Sequence, residues 1–255
     1  MKCPFCFKEV ERFHPNSHII PEWMYKDSYN EKHQVVSLNF EEKTKKIEQQ
    51  GLRGSFICEE CEKRFSYDDA YASELFTYKK ASSRIRDSLK TEKKIVQTNG
   101  NPTEVSHWSG FDFRRLQSFV FSVLLKAHLW EKVQRKSGLL TENEYQLMRL
   151  LYWNVIVIDD STFPILIINL NKSTMGPMLL LPYQNDFGIE KVYTFSGARF
   201  LFHVFRPSYQ RSAYVSGLQV RRDGNIWMIH VPFEESGIFR VSLPAMLEIR
   251  EKYEY

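Results

Sequence analysis

Cys3-Pro4-Phe5-Cys6 and Cys58-Glu59-Glu60-Cys61 are two CxxC pairs that use every cysteine in the chain. Four thiolates in two short knuckles make a tetrahedral cage for a structural zinc. Redox CxxC motifs and rubredoxin-like iron sites share this spacing. Redox motifs, however, rarely come as two pairs that consume all the cysteines. A disulfide framework is not needed either, because 255 residues can build a core without staples. Cys3, Cys6, Cys58 and Cys61 are therefore read as zinc ligands. Between the knuckles lies a lone Ser17-His18-Ile19-Ile20-Pro21 segment.

Composition sets the outer bounds. With 43% hydrophobic and 15% aromatic residues the chain is globular and has no disordered tail. A net charge of +4 allows a nucleic-acid partner without implying one. Cysteine ligands follow directly on Met1-Lys2, which leaves no room for a signal peptide. No apolar run approaches the about 20 residues of a membrane helix. Val155 to Leu170 comes nearest, but Asp159-Asp160 and Pro164 break it. The expectation is a soluble, cytoplasmic protein, in keeping with a thiolate site in a reducing compartment.

Three stretches differ in pattern, and together they predict an α+β fold. Residues 1–75 carry the cysteines and a charged insert, Glu41 to Gln50, expected to lie on the surface within Lys26 to Gln50. Residues 76–151 read as helical. In Phe111 to Lys136, Leu116, Phe119, Val120, Val123, Leu124 and Ala127 recur at spacings of three and four. Thr141 followed by Glu144 is a capping box that starts a second helix. Residues 152–255 switch to short apolar runs separated by turns, the language of a mostly antiparallel β region. These runs are Val155 to Ile158, Pro164 to Ile168, Met178 to Leu181 and Arg199 to Phe205. A short last helix is predicted over Pro244 to Lys252.

In a two-knuckle zinc fold the first CxxC opens a hairpin and the second begins a helix. Asn16 to Ile20 would then be a strand, with Asn16, His18 and Ile20 on one face. The helix would carry Glu62, Phe65 and Asp69 on one face. A strand His opposite a helix carboxylate suits metal-assisted hydrolysis: the carboxylate takes a divalent cation and neutral imidazole removes a proton from water.

CPxC, then His-Ile-Ile-Pro, then CxxC opening a helix, resembles the HNH (ββα-metal, treble-clef) endonuclease family. The closest likeness is to bacterial variants with SHIIP and CxxCE segments and a larger C-terminal region. It covers about residues 3 to 66. It implies a treble clef at residues 1–75, His18 as general base, and Glu62 in place of the last metal-binding His. Mg²⁺ or another divalent cation would act beside the structural zinc. Ser17 falls where the family has an Asp or His ligand, and Arg53 where it has a central Asn.

Each residue also has a plainer role. His18 could buttress the knuckle, and Glu62 could be a helix-start carboxylate favoured by the macrodipole. Asp69 and His14 are the candidates for a second metal ligand. Lys63, Arg64, Arg84 and Arg86 could track phosphates, or form a solvated helix face. Three functions follow: a nuclease; a non-catalytic zinc-stabilised module that binds nucleic acid or protein; or a ligand or partner sensor carried by the β-rich region. A protein partner or a homo-oligomer fits any of them.

Overall fold

The structure is a computed structural model that describes residues 1–29, 31, 32, 34–39, 44–48, 51–77, 82–98, 101–134, 136–156, 159–170, 179–187, 190–207, 213–232 and 235. The predicted helix Pro244 to Lys252 and the charges Glu41, Glu42 and Lys43 lie outside these residues.

The N-terminal part begins with β1 (Ser17–His18). Next come β2 (Val35–Asn39) and β3 (Thr44–Glu48). They are followed by β4 (Arg53–Gly54) and α1 (Glu59–Thr77). β1 pairs antiparallel with β4, Ser17 opposite Gly54 and His18 opposite Arg53. The predicted strand Asn16 to Ile20 is thus only two residues long. The second knuckle opens α1, as its spacing requires.

Next come α2 (Ser83–Ser88), β5 (Lys90–Thr98) and β6 (Asn101–Ser109). Residues 90–109, read from sequence as part of a helical stretch, are therefore a two-stranded ribbon. α3 (Phe113–Val133) follows, with the Asp112 carboxylate accepting the Arg115 N–H at 3.1 Å as its cap. α4 (Glu142–Tyr152) carries the predicted capping box, Thr141 with Glu144.

The last third holds β7 (Ile165–Asn169), β8 (Leu180–Phe187), β9 (Glu190–Gly197) and β10 (Phe200–Phe205). It continues with α5 (Ala213–Leu218) and β11 (Asn225–His230). Val155 and Ile156, expected to start a strand, lie instead in the turn after α4, 66% and 37% exposed. Asp159 makes the predicted turn, accepting the backbone N–H groups of Ser161 and Thr162.

The fold is α+β, with five α-helices among the described residues and one large sheet. That sheet has nine strands in the order β3-β2-β8-β9-β10-β7-β11-β6-β5. It is antiparallel except where β11 meets β7 and β2 meets β8. The stretch expected to be a surface insertion thus supplies the hairpin β2–β3 at one edge of the sheet. β9 turns into β10 through Ala198-Arg199, both at positive φ (50° and 67°), the pair of angles that matches strand twist in a two-residue hairpin.

α3 is the centre of the molecule. Residues 116–129 are buried all round, which fits a helix packed on several sides. On one side Phe119 meets Phe202 of the sheet at 5.9 Å. Phe119 also meets Trp23 at 5.7 Å, and Phe56 meets Trp130 at 5.9 Å. One continuous buried cluster runs from Cys3 to Met228. The aromatics Phe111, Phe113 and Phe119 are core, and Trp108 packs half-buried against it.

Candidate metal centre and the polar cluster beside it

The two knuckles bring their sulfurs together across more than fifty residues of chain. Cys3 Sγ lies 3.9 Å from Cys61 Sγ, Cys6 Sγ 3.7 Å from Cys58 Sγ, and Cys58 Sγ 3.4 Å from Cys61 Sγ. All four lie within 4.8 Å of one another. A tetrahedral zinc with Zn–S near 2.3 Å has sulfur–sulfur edges of about 3.8 Å, so this donor set fits such an ion. Electrostatics agree with that fit. The hydrogen bond from Cys61 pulls the Cys3 thiol down to about 4, and the same contact together with burial pushes Cys61 far up. Thiols packed this tightly cannot all ionise unless a cation joins them. The four cysteines are thus placed to hold a metal ion such as zinc. Around them Phe5 packs on Phe65 at 4.7 Å and on Trp153 at 5.2 Å, and Tyr145 Oη donates to the Pro4 carbonyl at 2.7 Å.

Beside this centre is a polar cluster made by β1, β4, α1 and α3. His18 is half-buried, and its Nε2 is buried with no hydrogen-bond partner. Burial first, then the charges of Arg53, Lys126 and His14, lower its pKa to about 4. It is therefore neutral at pH 7. Glu62 sits one residue past Cys61; its Oε2 is also buried and unpartnered. Burial raises its pKa, while Lys126 and a hydrogen bond with Ser17 pull it back. Ser17 is fully buried, and its Oγ lies 3.5 Å from His14 Nδ1.

Lys126 was not foreseen from sequence. Its side chain is 0% exposed on α3, and its Nζ donates to Asp69 Oδ2 at 3.1 Å. Ser122 Oγ reaches the other oxygen of Asp69 at 3.5 Å. The signal was available: a single lysine inside the apolar run Phe119 to Leu129 must be paired or functional.

Both candidates for a second metal ligand have other partners. Asp69, the candidate second ligand, is bound to Lys126. His14, the other candidate, accepts the Asn16 N–H at 3.3 Å through Nδ1 and lies 3.7 Å from Glu59 through Nε2. Asn16 thus engages His14 through its backbone N–H. Among the described residues, the cysteine quartet is the group of three or more ligands that converges. The charges that act on His18 are those of Arg53, Lys126 and His14.

The basic candidates divide by role. Lys63 is exposed and pairs with Glu59 at 3.7 Å. Arg64 lies flat on Trp153 at 4.3 Å, so its guanidinium is committed to a ring face. Arg86 is exposed on α2; the side chain of Arg84 lies outside the described residues. Lys93 and Lys94 pair with Glu104 and Glu92 on the ribbon, which favours the solvated-face reading there. A separate cleft of about 620 Å³ is lined by Phe111, Arg114, Val155, Ile156, Arg222 and Gly224, and by none of the His18 cluster. No helix among the described residues is long and apolar enough to cross a membrane. No family model, curated protein or solved structure matches the chain.

Proposed function

We propose that the chain is a diverged HNH-type hydrolase of phosphodiesters, built on a treble clef whose Cys3, Cys6, Cys58 and Cys61 hold zinc. His18 is its general base, and nucleic acid is its substrate. The observation that carries this reading is the orphaned Nε2 of His18. A buried imidazole nitrogen with no partner and a depressed pKa is costly unless it is used.

In the reaction, His18 Nε2 accepts a proton from a water molecule. The water oxygen bonds to phosphorus, the P–O bond to the leaving sugar oxygen breaks, and that oxygen takes a proton from solvent. The cysteines do no chemistry. Glu62, held by Ser17, shapes the cluster next to the base. The divalent cation that the family resemblance implies would have Glu62 as its carboxylate ligand, while the second-ligand candidates are engaged, Asp69 by Lys126 and His14 by Asn16. No step is routed through it.

The test is cleavage of single- and double-stranded DNA and of RNA by the zinc-loaded protein beside His18→Ala, with and without Mg²⁺, Mn²⁺ or Ni²⁺. Cutting lost in His18→Ala is the expected result. Activity unchanged in His18→Ala would sink the mechanism.

The Lys126–Asp69 pair also favours a second reading, the non-catalytic nucleic-acid- or protein-binding module. An ammonium there occupies the carboxylate that a catalytic metal would need. A wild type that cuts no substrate under any of these conditions selects it.

A further inference from the structure

His18 and Arg53 are directly opposite each other in the β1–β4 pair. Opposed residues of an antiparallel pair put their side chains on the same face. Arg53 is 25% exposed, so it can be reached from solvent, and its Nη2 lies 3.8 Å from Glu22 Oε2. Five N–H donors let one guanidinium hold a carboxylate and a phosphate together. The charges that act on His18 are those of Arg53, Lys126 and His14, and the Glu62 carboxylate lies in the same cluster. Lys126 is sealed and bound to Asp69; Arg53 also has partners, Glu22 and the Tyr25 hydroxyl, but it is reached by solvent.

Resting on the phosphodiester reading of this site, we propose that Arg53 holds the substrate phosphate next to His18, with Lys126 adding a fixed positive charge from α3, so that the anion binds without a divalent cation. The base and the anion clamp then come from the two strands of one short pair, and the distance between them is set by backbone hydrogen bonds rather than by a flexible loop.

The test is a titration of zinc-loaded, full-length protein with inorganic phosphate in buffer free of added divalent cations, read at the His18 ring nitrogens by NMR. A saturable shift at His18 is expected. Binding should be at least about tenfold weaker in Arg53→Gln and largely restored in Arg53→Lys, at equal zinc content and helicity. Phosphate leaving the His18 signals unmoved, or binding equally to Arg53→Gln, overturns the proposal. If the variants do not fold, Mg²⁺ titrated into wild type decides it: a saturable shift at His18 overturns the proposal, and an unmoved signal supports it. Cleavage assays separate this proposal from the hydrolase reading. Phosphate bound through Arg53 by a protein that cuts neither DNA nor RNA upholds the anion site and sinks the hydrolase. Cutting that requires an added divalent ion and survives in Arg53→Gln does the reverse.

Discussion

At the scale of single residues, the environment of His18 sets a pH dependence with a definite sign. A general base works in its neutral form, and the neutral fraction rises with pH through the pKa. Burial and the neighbouring cations hold that pKa at about 4, below the ordinary 6.5. Cleavage should therefore climb with pH through about 4 and show no step near 6.5. A measured rate profile that breaks near 6.5 would mean that His18 is solvated in the working site. His18→Ala should lower the rate by about 10²- to 10⁴-fold, the usual worth of a positioned base. The cysteine quartet was legible in the sequence because CxxC spacing singles it out, while His18 was picked out by its segment between the knuckles and by the family resemblance. Lys126 and the part played by Arg53 were not. A lone lysine in an apolar run signals burial but does not name its partner, and Arg53 gains its meaning from a partner thirty-five positions away across a strand pair.

At the scale of elements, β4 is pressed against α3. A Cβ built on Gly54 would come within 1.9 Å of the Trp130 ring. Gly54→Ala should cost about 1–3 kcal/mol by overpacking and should displace the His18–Arg53 pair with it. Denaturant unfolding and the His18 chemical shift report the two effects. α3 itself carries a buried ion pair, so Lys126→Met leaves the Asp69 carboxylate without its partner. That change should destabilise by about 3–5 kcal/mol, and adding Asp69→Asn should recover part of the loss, because the buried charge has then gone. Equal stability of the single and double variants would show that the pair is not coupled. α3 and α4 were legible because burial imposes a helical period and a capping box marks a start. The ribbon β5–β6 was not. Residues 91–97 are exposed at the sheet edge, so burial imposes no apolar alternation on them, and their lysines are what an edge strand carries to discourage pairing with another chain.

At the scale of the whole molecule, the metal centre is wired into the core rather than appended to it. Phe5, between the first two cysteines, packs against Phe65, Tyr152 and Trp153, and Pro4 accepts the Tyr145 hydroxyl. Stripping the metal with a chelator should thus lower the melting temperature. It should also raise hydrogen exchange in α1 and α4, not only in the knuckles. Exchange that rises in residues 1–15 alone would mean that the knuckles melt independently. The sheet has a further consequence for synthesis. Its last strand among the described residues, β11, is inserted between β7 and β6, so it joins the ribbon β5–β6 to the other strands. Strands made early must wait for residues 225–230 before their hydrogen bonds close. A ribosome making this chain therefore holds an open sheet, with two unpaired inner edges, until residues 225–230 have emerged.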